Sequence, residues 1–433
     1  MSKRNRAIAG AWKAISIGLI VGVLSPSLAW SQATANAEGA GSNVSAGSTE
    51  NWWDRLIPPT SMANDAARVD LHGYGSWAWA DTDGNPYLGG TADSAFDVIT
   101  GGLLVSAKAF DRLAINAQLS ADTREGDSDI SLERAFAEWT FADWLKLRGG
   151  RLPHPIGIYS EVLNVGTTRP FFDLPQGVYG PTGTTTLSYD GAGLTGSIIF
   201  HDWELIYDAY AGKAIDKFAA PYVVDITGNI PGPGSVVVTD AHDTFGGRLQ
   251  ILPPIEGLTV GVSAYRAEID SSPGLRVERI VYGAQFEFAR ENYSLRAEYY
   301  KQEADEYKTN ADNAYVMGTI RPLALLPLGE SATFFDRIEL SALWTLYKIR
   351  RVDPVPPGFP LPVRTPKQLK NHREWAVGLN YWFTPTFVAR AEYHRIYDNV
   401  FAHEGSTLLA KLGPPRDLDN QTQLVKVGLD FSF

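Results

Sequence analysis

From Arg68 onward the chain alternates apolar and polar residues with period two, in segments of about ten to fourteen residues, the length a tilted strand needs to cross a bilayer. The last segment shows the pattern most plainly. In TQLVKVGLDFSF, Gln423, Val425, Val427, Leu429, Phe431 and Phe433 share one face, while Leu424, Lys426, Gly428, Asp430 and Ser432 share the other. Leu113, Ile115, Ala117 and Leu119 form a second apolar face, and Ile338, Leu340, Ala342, Trp344 and Leu346 a third. Trp375, Val377, Leu379, Tyr381 and Phe383 form another, and Phe387, Ala389, Ala391 and Tyr393 stand opposite Val388, Arg390, Glu392 and His394. A soluble sandwich also alternates, but its strands are shorter and its apolar face turns inward. Here the polar faces are rich in Gly, Ser, Asn, Arg and Glu, which suits a wet lumen. The pattern predicts an all-β fold, a transmembrane antiparallel β-barrel.

The connections alternate between very short ones (FDR at 110–112, ADW at 142–144, HDW at 201–203, TP at 384–385) and long polar ones. Short turns belong on the periplasmic side and long loops outside, so each short turn fixes the local direction of the chain. This places strands near residues 68–80, 96–109, 112–122, 130–141, 143–152, 186–200, 203–213 and 242–252. The second half gives 257–269, 277–289, 291–303, 312–321, 335–351, 372–383, 386–399 and 422–433. The count is sixteen, even, with both ends periplasmic. Eighteen is the fallback, if 184–200 conceals a hairpin at Asp190 and Gly191. The third external loop, from Leu152 to about Thr185, is long and contains Pro, Gly and charged residues. An interior of sixteen strands is aqueous and wide, so this loop is expected to fold inward and narrow it. The loops at 214–241, 352–371 and 400–421 suit an exterior rim.

The residues ahead of the barrel read differently. Lys3, Arg4 and Arg6 precede an apolar stretch from Ala14 to Leu24 and small residues around Ser31, Gln32 and Ala33, the order of a secretory signal peptide. The apolar stretch is too short to span a bilayer as a helix. Residues 1–33 are therefore expected to be a cleaved leader, 34–67 a periplasmic spacer with a short amphipathic segment, NWWDRLIPP at 51–59, and 68–433 the pore domain. There are no cysteines, so disulfides and thiol chemistry are excluded. The leader holds four bases and no acids, so its loss takes the formal charge from -11 to -15, which argues against nucleic acid as a partner. Aromatic residues make 12% of the chain against three Met, a balance that fits interfacial anchors, with Trp77, Trp139, Trp344 and Trp375, and also Trp79, expected to face lipid.

The run LERAFAEWTFADWLKLRGGRLPHPIGIYSEVLNVGTTRPFFDLP, Leu132 to Pro175, resembles the superfamily of trimeric phosphate-selective and dicarboxylate-type porins of Gram-negative bacteria. The matching positions are Leu145, Leu147, Arg148, Gly150, Arg151, Pro155, Gly157, Arg169 and Pro170. Repeated RAEY units at Arg296–Tyr299 and Arg390–Tyr393, and the terminal Phe433, add to it. The resemblance implies a homotrimer in the outer membrane, among its lipids and lipopolysaccharide, that passes small hydrophilic solutes, often anions, without energy input. The chain departs from the phosphate-selective pattern, because it carries no ladder of Arg and Lys. Arg134, Lys146, Arg148, Arg248, Arg296, Arg390 and Lys426 on the expected lumen face are matched by Asp70, Glu138, Asp208, Glu287, Glu298, Glu392 and Asp430.

A local basic excess stands at the root of the third loop, where Arg148, Arg151, His154 and Arg169 face Glu161 and Asp173. Arranged around a constriction, these groups would touch passing solutes and favour anions weakly. Paired with lumen carboxylates such as Glu138, Arg148 and Arg151 would instead serve stability, and the sequence leaves both open. The pairs Arg296 with Glu298 and Arg390 with Glu392 read as salt bridges across the pore or between strands. The histidines show no metal-type spacing, no GxSxG elbow appears, and a wide lumen excludes water poorly. The expectation is therefore a channel and not an enzyme, with no cofactor and no metal. The alternatives are a plugged structural or adhesin barrel that works through its surface loops, and a barrel hydrolase.

Overall fold

A computed structural model describes residues 60–64, 67–83, 87–88, 95–124, 127–180, 183–220, 235–271, 275–304, 309–325, 334–352, 371–398, 401 and 421–433. The expected leader, the spacer as far as residue 59 and most of the rim loops lie outside the described residues. A short strand β1 (Thr60–Asn64) precedes the barrel, which opens with β2 (Ala67–Thr82), β3 (Ala95–Phe110), β4 (Leu113–Arg124), β5 (Asp127–Ala142) and β6 (Leu145–Pro153). It continues with β7 (Ser188–Phe200), β8 (Trp203–Ala220), β9 (Ser235–Leu252), β10 (Leu258–Ser271), β11 (Leu275–Arg290) and β12 (Tyr293–Ala304). The last strands are β13 (Thr309–Ile320), β14 (Ile338–Val352), β15 (Asn371–Thr384), β16 (Phe387–Tyr397) and β17 (Gln421–Ser432). Each strand from β2 to β17 pairs antiparallel with its neighbours, and β17 returns to β2, so sixteen strands close the barrel.

All sixteen expected strands are present, and the fallback of eighteen falls away. β7 runs unbroken through Asp190 and Gly191, with Gly191 paired to Gly150 on one side and to Gly212 on the other, which leaves no place for a further hairpin. The period-two pattern works because lipid and lumen take alternate residues. Along β15, His372, Glu374, Ala376, Gly378 and Asn380 are buried toward the interior, whereas Arg373, Trp375, Val377 and Leu379 are exposed on the outside. Trp77, Trp139 and Trp344 face outward in the same way. Trp79 is buried instead, beside a register shift between Ala78 and Ala80.

The seam between first and last barrel strands is made at Gly73 and Phe433, which exchange both backbone bonds at 2.9 Å. β17 ends there, so the edge of β2 from Ala67 to Leu71 would lie open. β1 covers it, with Thr60 opposite Leu71 and Asn64 opposite Ala67. Sequence alternation did not reveal β1, because five residues of TSMAN carry no periodic signal and the demand for a strand comes from the neighbour's unpaired edge.

On the outer side of the seam the Phe433 ring lies over Gly73 and the Phe431 ring over Gly75, where a Cβ on either glycine would enter the ring. Gly75→Leu is expected to expel Phe431 and destabilise the barrel by about 1–3 kcal/mol, the usual cost of overpacking. A lower temperature for the shift in gel mobility between folded and unfolded forms, relative to the unaltered protein, checks this.

Candidate functional site: the third loop and the lumen

β6 stops after nine residues, shorter than its neighbours, at Pro153. Two prolines, Pro153 and Pro155, flank His154, and a residue without an N–H cannot extend the ladder. The chain therefore leaves the wall partway up and turns inward, as expected for the third loop. Gly157, at φ +84°, makes the first turn. A Cβ there would meet the hydroxyl of Tyr179 and Oε1 of Glu298, so glycine is required twice over.

The loop is held by the wall along its whole course. Glu298 of β12 accepts from the Ile158 N–H at 2.8 Å and from the Tyr179 hydroxyl at 2.5 Å. Arg248 of β9 donates to the Gly157 carbonyl at 3.2 Å, and Arg134 of β5 to that of Glu161 at 2.8 Å. Arg390 of β16 donates to the Gly166 carbonyl at 3.1 Å, and Asn380 of β15 to that of Pro170 at 3.0 Å. The Phe172 N–H donates to Glu392 of β16 at 2.6 Å, and Asp173 pairs with Lys426 of β17. After one helical turn, Gln176–Tyr179, the carbonyl of Thr184 accepts from Tyr265 of β10 at 2.8 Å, and the chain rejoins the wall at β7.

Between these ties the loop builds an apolar core inside the barrel. Ile156, Tyr159, Val162, Phe171, Leu174 and Val178 pack with Tyr210, Tyr265, Tyr300, Tyr315, Met317 and Leu343 from the walls. The expectation of a uniformly wet lumen was too simple. Several lumen-facing strand positions are Tyr, Met or Leu, and the loop itself is unusually apolar for an external one; both signals were present in the sequence.

Water access to the interior is lopsided. Toward β13–β17, His372, Glu374, Arg390, Glu392, His394, Lys426 and Asp430 are at most 3% exposed. There Arg390 pairs with Asp430 at 2.9 Å, and His394 lies between Glu374 and Glu392 at 2.5 and 3.1 Å. Tyr87 of the first external loop donates to Glu374 at 2.8 Å, and the Phe401 ring packs on Tyr347 and His372. Along β3–β6 and at the foot of β11 and β12 the interior stays partly open. Ser106, Asn116, Glu133, Arg134 and the Arg296–Glu287 pair are half-buried. Glu138, Lys146, Arg148 and Glu161 keep 14–22% of their side chains exposed. On this strip Arg148 holds Glu138 at 2.6 Å and reaches Glu161 at 3.8 Å.

The structure brings together part of the group read from sequence. Arg148 and Glu161 meet at the strip, Arg169 lies in the loop with a bond to the Leu163 carbonyl at 3.2 Å, and Asp173 is taken up by Lys426. Arg151 does not reach the lumen. It stands three residues beyond an inward Arg148 on a strand of period two, so it points outside, where two bonds of 2.7 and 2.9 Å join it to Asp190. His154 is fully buried, its ring nitrogens against the Tyr210 hydroxyl at 2.6 Å and the Thr186 hydroxyl at 2.9 Å, among the rings of Tyr189, Tyr210 and Tyr265. Of the lumen pairs, Arg296 takes Glu287 and Arg390 takes Asp430, while Glu298 and Glu392 bind loop N–H groups. Sequence reasoning missed Glu133, which meets Ser120 on β4 and Asn164 of the loop, Glu374, which meets His394 on β16, and His372, which meets Glu374 on its own strand and Tyr87 of the first loop, pairings that no local motif reveals. Among the described residues no group of three or more His, Asp or Glu is disposed to hold a metal ion.

Among solved structures the barrel is similar to OmpF of Salmonella typhi in complex with daunomycin, at 15% identity over 86% of this chain and 100% of that one, with a TM-score of 0.51. It is also similar to an anion-selective porin from Comamonas acidovorans (11% identity, 85% and 100% covered, TM-score 0.49) and to the outer membrane channel DcaP of Acinetobacter baumannii (9%, 86% and 99%, 0.49). The chain folds as a porin-like outer-membrane barrel. No family model and no curated protein sequence matches it. At such identity the likeness to OmpF concerns the fold, and residue roles rest on the geometry above.

Burial, with Arg279 nearby, pushes the His154 imidazole from its ordinary 6.5 down to about 3. Below about 6.5 the unfolded imidazole takes a proton that the folded one refuses, so the packing around His154 is fully stable above that pH and weakens on acidification toward 3. Amide protection across residues 152–160, corrected for the intrinsic exchange rate at each pH, is expected to fall between about pH 7.5 and 4.5, and His154→Gln to remove that fall.

Proposed function

We propose that this barrel is a passive channel of the outer membrane for small hydrophilic solutes, with an off-centre eyelet between the third loop and the β3–β6 wall. The lopsided access carries the reading. One side of the interior is packed and buried, while the other keeps charged side chains 14–22% exposed where the loop crosses. At the eyelet Arg134, Lys146 and Arg148 stand against Glu133, Glu138 and Glu161, so the charges balance. The resemblance to phosphate-selective and dicarboxylate-type porins favours anions, and the balance limits that preference to a weak one. No catalytic group enters this reading.

A homotrimer is the proposed assembly. The described outward side chains of β3–β5 are apolar, with Ile99 at 51% and Ile130 at 80% exposure, a wall suited to another copy of the chain. One structure of the Vibrio cholerae outer membrane protein OmpT is a trimer form.

Planar-bilayer recording tests the proposal. Conductance in steps of three is expected, with a slight preference for anions, and Lys146→Glu with Arg148→Glu is expected to turn the reversal potential toward cations. A second reading, a barrel closed by its loop and working through its surface, is favoured by the apolar packing of Ile156, Phe171 and Val178. A silent wild-type bilayer together with conducting Glu298→Ala would establish it. Under the channel reading Glu298→Ala leaves the Ile158 N–H and Tyr179 hydroxyl unpaired, at about 1–3 kcal/mol each, and yields larger, noisier currents than Glu298→Gln.

A further inference from the structure

The periplasmic foot of the lumen carries an apolar shelf that passage of hydrophilic solutes does not call for. Glu204 of β8 shares the inward parity of Asp208 and stands opposite Ile199 of β7 on one side and Leu252 of β9 on the other, so all three face the lumen. Ile199 is 74% exposed there, and Ile255 in the turn between β9 and β10 is 50% exposed. Together with the turn at His201 and Asp202, and with Thr259 and Glu287 behind, they line a recess of about 630 Å³. Glu256 and Glu287 at its edge are held by Arg290 and Arg296. Asp202 is exposed and Glu204 accepts from the Ser197 hydroxyl at 2.5 Å, so these two give the shelf its negative charge.

The seam on the opposite wall aims a segment of the chain at this recess. β1 continues the column of β17 downward, because Phe433 bonds to Gly73 and Thr60 stands opposite Leu71. Only the place opposite His72 lies between them, so the chain ahead of Thr60 has no room in the wall and must leave it. Outside lies the edge of the hydrocarbon, marked by the Phe433 ring over Gly73, where unpaired backbone is costly. Inside lies the wet foot of the lumen. Pro58 and Pro59 immediately precede Thr60, cannot extend the ladder and favour an extended course.

Distance and chemistry agree. β10 is the ninth strand of sixteen counted from β2, so the recess lies straight across the barrel from the seam. Strands about 4.8 Å apart and tilted by about 35–45° close to a ring about 30 Å across, and nine extended residues reach about 30 Å. We infer that residues 51–59, NWWDRLIPP, cross the periplasmic mouth and dock on this shelf, Trp52 and Trp53 covering Ile199 and Ile255 and Arg55 turned toward Asp202 and Glu204. The tether presents the segment at an effective concentration on the order of millimolar, ahead of a freely diffusing partner. Docked, it narrows the exit of the lumen below the third loop. The inference rests on the barrel and its seam and is independent of conduction.

The chain has no cysteine, so introduced pairs report on themselves alone. The test is oxidative cross-linking of the purified folded protein carrying Trp53→Cys with either Ile199→Cys on the shelf or Lys108→Cys at the foot of β3, the strand beside β2. A free segment meets the near wall more often, and a docked one the far wall. Bridging to Ile199→Cys at least ~10-fold faster than to Lys108→Cys is expected. Equal rates, faster bridging to Lys108→Cys, or bridges between chains in place of internal ones overturn the inference. Trypsin cleavage after Arg55, read by mass spectrometry, decides the matter if the cysteine variants do not reach the folded gel mobility. Ile199→Asp, at a position too exposed for folding to depend on it, is expected to speed that cleavage by at least ~10-fold, and an unchanged rate overturns the inference equally.

Discussion

Hydrocarbon offers no partner to a backbone N–H or C=O, so a chain that crosses it in strands must close on itself. That constraint sets nearly everything else in this molecule. It demands the pair of bonds between Gly73 and Phe433, and it explains why a five-residue strand from outside the periodic region covers the lower edge of β2. It also makes side-chain direction binary, since closure leaves each residue either toward lipid or toward the lumen.

The same demand applies inside. A loop that enters the lumen takes its own N–H and C=O groups away from bulk water, and each needs a partner there. The wall supplies them one by one: Glu298 for Ile158, Arg390 for Gly166, Asn380 for Pro170, Glu392 for Phe172 and Tyr265 for Thr184. Many lumen charges are therefore ties for the loop before they are lining for a path. Apolar side chains of the loop then meet inward Tyr, Met and Leu, and the hydrophobic effect fixes what the polar ties position.

The barrel was legible in the sequence because period two over sixteen segments is a strong and redundant signal, and one misplaced boundary does not alter the count. The loop was legible only as a loop. Its length, its prolines and Gly157 announced that it leaves the wall, but its course depends on pairings between residues as far apart as Phe172 and Glu392. Arg151 marks a different limit. Its position opposite in parity to Arg148 was available from the sequence, and grouping the two by proximity in the chain overrode the strand geometry that separates them. β1 was illegible, since its cause is a neighbour's open edge and not its own residues.

The two RAEY units make the point sharpest. Each places Arg and Glu toward the lumen and Ala and Tyr toward lipid, with identical local chemistry. Yet Arg296 sits half-buried at the foot of the open strip with Glu287, while Arg390 is fully buried on the packed side with Asp430 and the Gly166 carbonyl. Their glutamates both serve the loop, Glu298 near its start and Glu392 near its middle. The motif decides which way a side chain faces, and the path of the third loop decides whether water reaches it. Any selectivity of the lumen therefore belongs to the relation between loop and wall, and a substitution that moves the loop changes which charges a solute meets without altering any of them.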